Sequence, residues 1–429
     1  MAASQIAALG RVLLVASTKD MASMNIARCL LARSEYWHPT LSPHLYVGRQ
    51  NAGVLLWVQD VSLLALDEPH IQLHQNEPDA MRVLTESSIA TTFSEVIFLS
   101  RHSAASGVAA LTVHPIGIPW LTHTRRGRYG GIGARCSPPS PRIASLYRLL
   151  LQVSRERSLK VQSVMTVPEV PVPAPSFEIT LEATHHGPYC SLPTCFVEIG
   201  SDITTWNNAD AGQIWADVLG QELQLGPAAV QLEKEELAPI SGETSAQVAV
   251  IVIGGSHYMP KGNDSARLGP HVRIGHMLAT YALQALSESA SPSDEVHEED
   301  EEDGVNQASH VIFLTPEQEQ FQPTIRSAMQ EVLASTQISL TSSPASAPML
   351  YALVDKKCGG AEIKAAVVAV LEEAGVQWGH TVNDLKRALD QRNKSEQLHS
   401  AATAAAGARG KYKGSVQRQD PAAASSESM

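Results

Sequence analysis

The sequence predicts an α/β protein with a mixed, largely parallel sheet flanked by helices. Two observations carry this. Apolar, β-prone runs recur along the chain: VLLVA at 12–16, VIFL at 96–99, QVAVIVI at 247–253 and LYALV at 350–354. Continuous runs of this kind mark strands buried on both faces. Between them lie segments with apolar residues at helical spacing, at 21–32, 144–156 and 361–374. Strand and helix therefore alternate.

Taken in order, the strand at 12–16 leads through Ser17-Thr18-Lys19-Asp20 into a helix, with Thr18 or Asp20 as its cap. That start is an ordinary βα unit or an anion site at a helix N-terminus. Short strands at 45–47 and 54–58 flank the turn Gln50-Asn51-Ala52-Gly53. The run at 96–99 reads as a central strand ending in Ser100-Arg101-His102-Ser103, and alternation at 109–113 leads to His114-Pro115. Open α/β sheets gather their sites at strand ends, so Ser100, Arg101, His102 and His114 are candidate substrate contacts. The loop 120–142 carries Arg125, Arg126, Arg128, Arg135 and Arg142. It is either a solvated surface or an arm that contacts phosphate, which suits the guanidinium fork. A Pro-rich connector, VPEVPVPAP, follows at 167–175.

The densest chemistry is at 181–201, LEATHHGPYCSLPTCFVEIGS. Strand patterns at 177–182 and 194–199 flank a Gly187-Pro188 turn. Glu182, His185, His186 and Glu198 therefore sit at a strand end, in a turn and within the next strand, and are the candidate catalytic residues. Ser201 or Asp202 caps a helix that runs to about 225. The strand at 247–253 then enters Gly254-Gly255-Ser256-His257, with Lys261 beyond. Paired glycines let the backbone approach a ligand closely, so Gly254, Gly255 and Lys261 are candidate substrate contacts. His276, between Ile274 and Met277, reads as the beginning of a helix.

His185, His186, Glu198, His257 and His276 have the chemistry of zinc ligands. Each is alternatively a loop or core histidine, or a solvated carboxylate. Glu182 is a candidate base, or orients a histidine ligand. Cys190 and Cys195 could be read as a thiolate clip, although no second cysteine pair accompanies them. No G-x-S-x-G elbow is present, against a serine hydrolase. No H-E-x-x-H is present, against a general zinc peptidase.

The chain has 429 residues, 44% apolar and 18% charged, as a soluble globular protein does. Its net charge of −12 argues against wrapping nucleic acid with a basic surface. Much of that charge lies in DEVHEEDEED at 294–303. This stretch belongs to an acidic insertion, 287–309, expected to be disordered. The expected organisation is one domain, 1–395, followed by a disordered tail, 396–429. Five scattered cysteines make no disulfide framework, which suits a reducing compartment. No apolar run is long enough to span a membrane, and a strand begins too early to leave room for a targeting peptide. The expectation is a cytoplasmic protein, monomeric, with no membrane partner.

Several stretches together resemble one family. They are Ala183-Thr184-His185-His186-Gly187-Pro188, Phe196-Val197-Glu198-Ile199-Gly200-Ser201, Phe98-Leu99-Ser100-Arg101-His102-Ser103, Leu111-Thr112-Val113-His114-Pro115, Ile253-Gly254-Gly255-Ser256-His257-Tyr258 and Gly275-His276-Met277. They look like the D-aminoacyl-tRNA deacylase of archaea and plants. The resemblance also takes in 17–26 and 353–375. It implies a cytosolic, zinc-containing enzyme that hydrolyses the ester between a D-amino acid and the tRNA 3′ end. It implies a core similar to peptidyl-tRNA hydrolases and nucleoside phosphorylases, and a link to clearing N-alkyl adducts of aminoacyl-tRNA. Ser256 and Lys261 depart from the family pattern, where glycine and arginine are usual. A different class remains open on the residues alone: a non-catalytic RNA- or nucleotide-binding module on a phosphorylase-like sheet.

Overall fold

The structure, a computed structural model, describes residues 11–69, 93–123, 125–164, 177–226, 248–286, 324–341 and 348–411. The connector at 167–175, the acidic insertion and the strand expected at 311–314 lie outside the described residues. Two units divide the chain, Met1–Val382 and Asn383–Met429. The second contains a helix, Val382–Lys411, so helix occupies the start of the stretch expected to be a tail.

Twelve described strands form two sheets in the first unit. They are β1 (Val12–Ser17), β2 (Trp37–Pro39), β3 (Leu45–Gly48), β4 (Val54–Gln59), β5 (Glu95–Arg101), β6 (Ala110–His114), β7 (Glu178–Leu181), β8 (Thr194–Gly200), β9 (Val248–Ile253), β10 (Val272–Leu278), β11 (Met349–Val354) and β12 (Gln377–Gly379). The larger sheet has the order β2-β3-β4-β1-β5-β8-β6-β7 and the smaller β10-β9-β11-β12. The smaller is parallel throughout. In the larger, β2, β3 and β4 form an antiparallel meander, and β6 runs antiparallel to β8. Every residue of β1, β8 and β9 is buried, as their unbroken apolar runs require. His276 lies in β10 instead of opening a helix. Its neighbours Ile274 and Met277 face a β-bulge, where the register against β9 shifts. That irregularity breaks the period-two pattern a strand would show in sequence.

Helix α1 (Met21–Leu31) is capped by Asp20, whose carboxylate accepts from the Ser23 amide. Helix α2 (Ile143–Val164) packs near α4 (Ala209–Glu222). Asp202 closes a capping box on the short α3 (Ile203–Trp206), and Asn208 caps α4. The single helix expected after Ser201 is thus two. The remaining α-helices described in the first unit are α5 (Pro260–Ala266), α6 (Thr280–Ala285), α7 (Ile325–Thr341) and α8 (Ala361–Glu373).

The arginine-rich loop is mostly committed to internal partners. Arg142 Nε meets Glu95 at 2.8 Å and Nη1 meets Glu222 at 2.9 Å. Arg126 pairs with Asp67, and Arg135 reaches Glu331 at 3.4 Å and lies over the Tyr189 ring. Glu95 and Glu222 are both buried, and removing their shared cation would leave two uncompensated carboxylates. We expect Arg142→Met to destabilise the protein by about 3–5 kcal/mol, measured by chemical denaturation. Arg125→Met should cost only a few tenths of a kcal/mol, on the order of an ordinary surface change.

Candidate active site

Side chains alternate along a strand, so register decides which of them share a face. Ser100 lies opposite Glu198, and Phe98 opposite Phe196. On the other side Thr112 lies opposite Glu198, and His114 opposite Phe196. One face of the larger sheet therefore carries a polar row, Ser100-Glu198-Thr112, beside a ring row, Phe98-Phe196-His114. The rings of Phe98 and Phe196 stack at 4.9 Å, and those of Phe196 and His114 at 5.4 Å.

The segment after β7 crosses from one sheet to the other. The Glu182 amide bonds the Val113 carbonyl at 3.2 Å, still on the larger sheet. The Ala183 amide then bonds the His257 carbonyl at 2.8 Å, and the Thr184 amide the Met277 carbonyl at 2.6 Å. The Met277 amide returns a bond to Thr184 Oγ1 at 2.9 Å. This stitch sets His257, from the smaller sheet, beside Glu182.

Glu182 has no solvent exposure. His257 Nε2 is 3.1 Å from its Oε2, His185 Nε2 is 3.7 Å from the same oxygen, and His102 Nδ1 is 3.3 Å from Oε1. Burial alone would raise its pKa, but the charge of His102 and the hydrogen bond and charge of His257 outweigh it. The carboxyl is held well below the usual carboxylate range and stays ionised. Glu198 Oε2 accepts from Thr112 Oγ1 at 3.4 Å and lies 3.5 Å from His114 Nε2 and 3.7 Å from His102 Nδ1. His102 thus sits between two carboxylates. Gly200 makes that possible, since a Cβ there would come within 2.6 Å of His102 Cδ2.

The histidine pair is fixed by backbone. Nδ1 of His185 is 2.8 Å from the Ala183 carbonyl, and Nδ1 of His186 is 2.6 Å from the Gly187 carbonyl. Nδ1 of His114 likewise meets the Pro115 carbonyl at 3.0 Å. A carbonyl only accepts, so each Nδ1 carries the proton, and the neutral rings of His185 and His186 offer the lone pair of Nε2. His186 is held at φ +38°, a conformation that non-glycine residues rarely adopt. The amide of Gly117 ties its carbonyl at 3.0 Å. Loop 117–137 thereby braces the pair, for the amide of Gly187 also bonds the Tyr129 carbonyl at 3.1 Å. Burial, then the charge of His114, pushes His186 down to about 3, and burial with His114, His186 and His257 holds His185 well below its ordinary value. Burial also acts to lower His114, but Glu198 and Glu182 outweigh it and raise its pKa.

Among the described residues, three groupings have the spacing of metal ligands: His114-His185-His186, His102-Glu182-His257 and His114-Glu182-Glu198. Within each, one donor atom per residue lies within 4.8 Å of the others. The buried Nε2 of His114 and Oε1 of Glu182 make no hydrogen bond. Neutral imidazoles and ionised carboxylates with unshared lone pairs facing inward are a donor set that suits a divalent cation.

Other candidates fall elsewhere. His276 is in none of these groupings; buried, with Nδ1 3.1 Å from Thr184 Oγ1, it steadies the crossing segment. Gly254 and Gly255 spend their amides on the Leu278 carbonyl and on Thr280 Oγ1. Lys261 pairs with Asp355 at 2.8 Å. Ser100 Oγ and the Arg101 amide both donate to Asp20 Oδ2, at 3.2 and 3.0 Å. Cys190 and Cys195 are buried free thiols outside the groupings; burial pushes Cys190 up to about 12. They form no thiolate clip. Two tyrosines went unnoticed in the sequence. Tyr258 Oη lies 3.4 Å from His102 Nε2, and Tyr281 Oη 3.3 Å from His257 Nδ1. Tyr258 was signalled by its place beside His257; nothing in sequence pointed to Tyr281.

Fold and site define an α/β protein with a buried histidine–carboxylate centre suited to metal-assisted hydrolysis. Comparison with known proteins gives the family. Residues 89–379 match the family model for D-aminoacyl-tRNA deacylase. The chain is 34% identical over 271 residues to the D-aminoacyl-tRNA deacylase of Arabidopsis thaliana, covering 63% of this chain and 75% of the relative. It is 33% identical over 195 residues to that of Desulfurococcus amylolyticus, covering 45% and 59%. A crystal structure of a conserved protein of unknown function shares the fold, with a TM-score of 0.51 and 22% identity over 86% of this chain and 94% of that one. The chain belongs to the D-aminoacyl-tRNA deacylase family, and every member of the three groupings lies within the matched span.

Two outcomes follow from the geometry. Gly254 sits at φ +87°, and a Cβ would come within 2.5 Å of Cys358 Cβ, whereas a Cβ on Gly255 meets nothing nearer than 3.9 Å. Gly254→Ala should therefore lower the melting temperature clearly more than Gly255→Ala. Burial pushes His276 down to about 3. The unfolded chain then binds a proton below about pH 6.5 that the folded chain refuses, so stability is full above that pH and falls with acidification. His276→Gln should lose about 2 kcal/mol less stability than the parent between pH 7 and pH 5 in urea titrations.

Proposed function

We propose that this chain hydrolyses the ester joining a D-amino acid to the 3′ end of tRNA, releasing the free D-amino acid and tRNA. The reading is supported by the family membership and carried by one observation: five histidines and two glutamates meet in a buried cluster inside the matched span. A bare RNA-binding surface has no use for two buried carboxylates ringed by imidazoles. The same reading extends to hydrolysis in which the amino group carries an N-alkyl adduct.

Zinc is the metal we assign, and His114, His185 and His186 are the grouping that would hold it, with Glu182 and Glu198 beside them. When bound it lowers the pKa of a water to about 7. The chain's own residues do the rest. Glu182, already ionised, orients His257 through its Nε2 and could hold a proton taken from the attacking water. Glu198 fixes His114 and His102. In this reading Tyr258, 3.4 Å from His102 Nε2, would pass a proton toward the leaving ribose oxygen. His276 is not among the ligands we assign. The five free thiols fit a cytoplasmic setting, and among the described residues no helix is long and apolar enough to cross a membrane. We infer a cytoplasmic monomer.

The direct test is purified protein on matched D- and L-aminoacyl-tRNA, with and without a chelator. Hydrolysis of the D ester, lost on chelation and restored by zinc, is the expected result. His186→Ala and Glu182→Gln should each lower kcat/KM at least a hundredfold, while circular dichroism stays unchanged. A chelated protein with full activity would remove the metal from the account, and binding of tRNA without hydrolysis would favour the RNA-binding alternative.

A further inference from the structure

A shelf of unusual composition adjoins His102. The Arg101 guanidinium lies over the Trp206 ring at 5.1 Å. Trp206 is half-buried, and its Nε1 donates to the His102 carbonyl at 2.8 Å. Large apolar side chains on the neighbouring segments are exposed: Ile203 is 60% exposed, Val108 44% and Met21 36%. They belong to one patch. Asn207 reaches Met21 Sδ at 3.6 Å, the Ser201 hydroxyl bonds the Val108 carbonyl at 2.6 Å, and Asn25 bonds the Trp206 carbonyl at 2.9 Å. Arg101 precedes the active-site His102 and Trp206 bonds its carbonyl, while helix α1, helix α3 and the loop between β5 and β6 supply the exposed apolar side chains.

Structure alone does not require this. An exposed Ile or Val is ordinary when single, but here three lie on the hydrogen-bonded segments around a stacked Arg–Trp pair. The Arg101 amide is already fixed on Asp20 Oδ2 at 3.0 Å, so the cap of α1 sets where this side chain starts. Aromatic rings and guanidinium planes are the surfaces on which unpaired bases stack, and apolar flanks exclude water from such a stack.

We propose that this shelf binds a nucleobase of the single-stranded 3′ terminus of the substrate. The proposal rests on the deacylase reading for the identity of the ligand. It gives the candidate substrate contact Arg101 a definite part: its plane, with Trp206, grips a base and so delivers the terminal ribose ester to the cluster behind His102.

The test uses the whole protein and the trinucleotide CCA as probe, with indole fluorescence as readout. The chain has six tryptophans, so the signal is taken as the difference between the parent and Trp206→Leu. The parent should bind CCA with quenching. Trp206→Leu, followed by competition against a labelled CCA, and Arg101→Met should each weaken binding about tenfold, the scale of one stacked base. Arg101→Met keeps the backbone bond to Asp20, so it serves as the variant that folds if Trp206→Leu does not. A CCA probe whose terminal base is replaced by an abasic sugar should bind as weakly as Arg101→Met does. Equal binding of the abasic probe would overturn the proposal in favour of phosphate contact, and unchanged binding by Arg101→Met would overturn it outright. A parent that binds CCA at the shelf yet releases no D-amino acid from D-aminoacyl-tRNA leaves the shelf standing and sinks the deacylase reading instead.

Discussion

A carboxylate with no access to water, Glu182, is the constraint around which this molecule is arranged. An isolated buried carboxylate costs several kcal/mol even after relaxation, so the fold has to bring partners to it. It does so from both sheets. His102 comes from the end of β5, His185 from the turn after β7, and His257 from the end of β9. The hydrogen bonds from Ala183 and Thr184 to His257 and Met277 are what hold the two sheets at the distance this requires. Stability and chemistry share one cause here: the groups that make Glu182 tolerable are those that make it useful.

The electrostatics divide the cluster. Burial and mutual repulsion keep His185 and His186 neutral, while the nearby carboxylates raise His114. Neutral imidazoles with backbone-anchored Nδ1 atoms are ready to ligate without losing a proton, and their orientation costs nothing further at the moment of binding. The strained φ of His186 belongs to the same design, because the loop that braces it also braces Gly187.

Much of this was legible in the sequence, for physical reasons that differ by residue. The strands at 96–99 and 247–253 were plain because burial on both faces leaves unbroken apolar runs. His185, His186, Glu182 and Glu198 stood out because they crowd a turn between two strands. His102 and His114 were found only as strand-end histidines, and their meeting with Glu198 depends on β8 lying between β5 and β6, which no local pattern encodes. His276 was misread as helical because a β-bulge hides its period. Gly254 and Lys261 stand out in the sequence as ligand contacts, whereas the approach of Gly254 to Cys358 and the pairing of Lys261 with Asp355, both distant in sequence, were not legible there. Tyr281 and the Arg101–Trp206 stack arise wholly from tertiary contact.

The central claim is that neutral histidines, pinned through Nδ1, present Nε2 to a cation. Nitrogen-15 NMR of histidine-labelled protein tests it, with His186→Ala used to assign the signals. In metal-free protein at pH 7, His185 and His186 should appear as neutral rings protonated at Nδ1, and one equivalent of zinc should shift their Nε2 resonances while leaving Nδ1 protonated. Rings protonated at Nε2, or Nε2 resonances unmoved by zinc, would contradict the account.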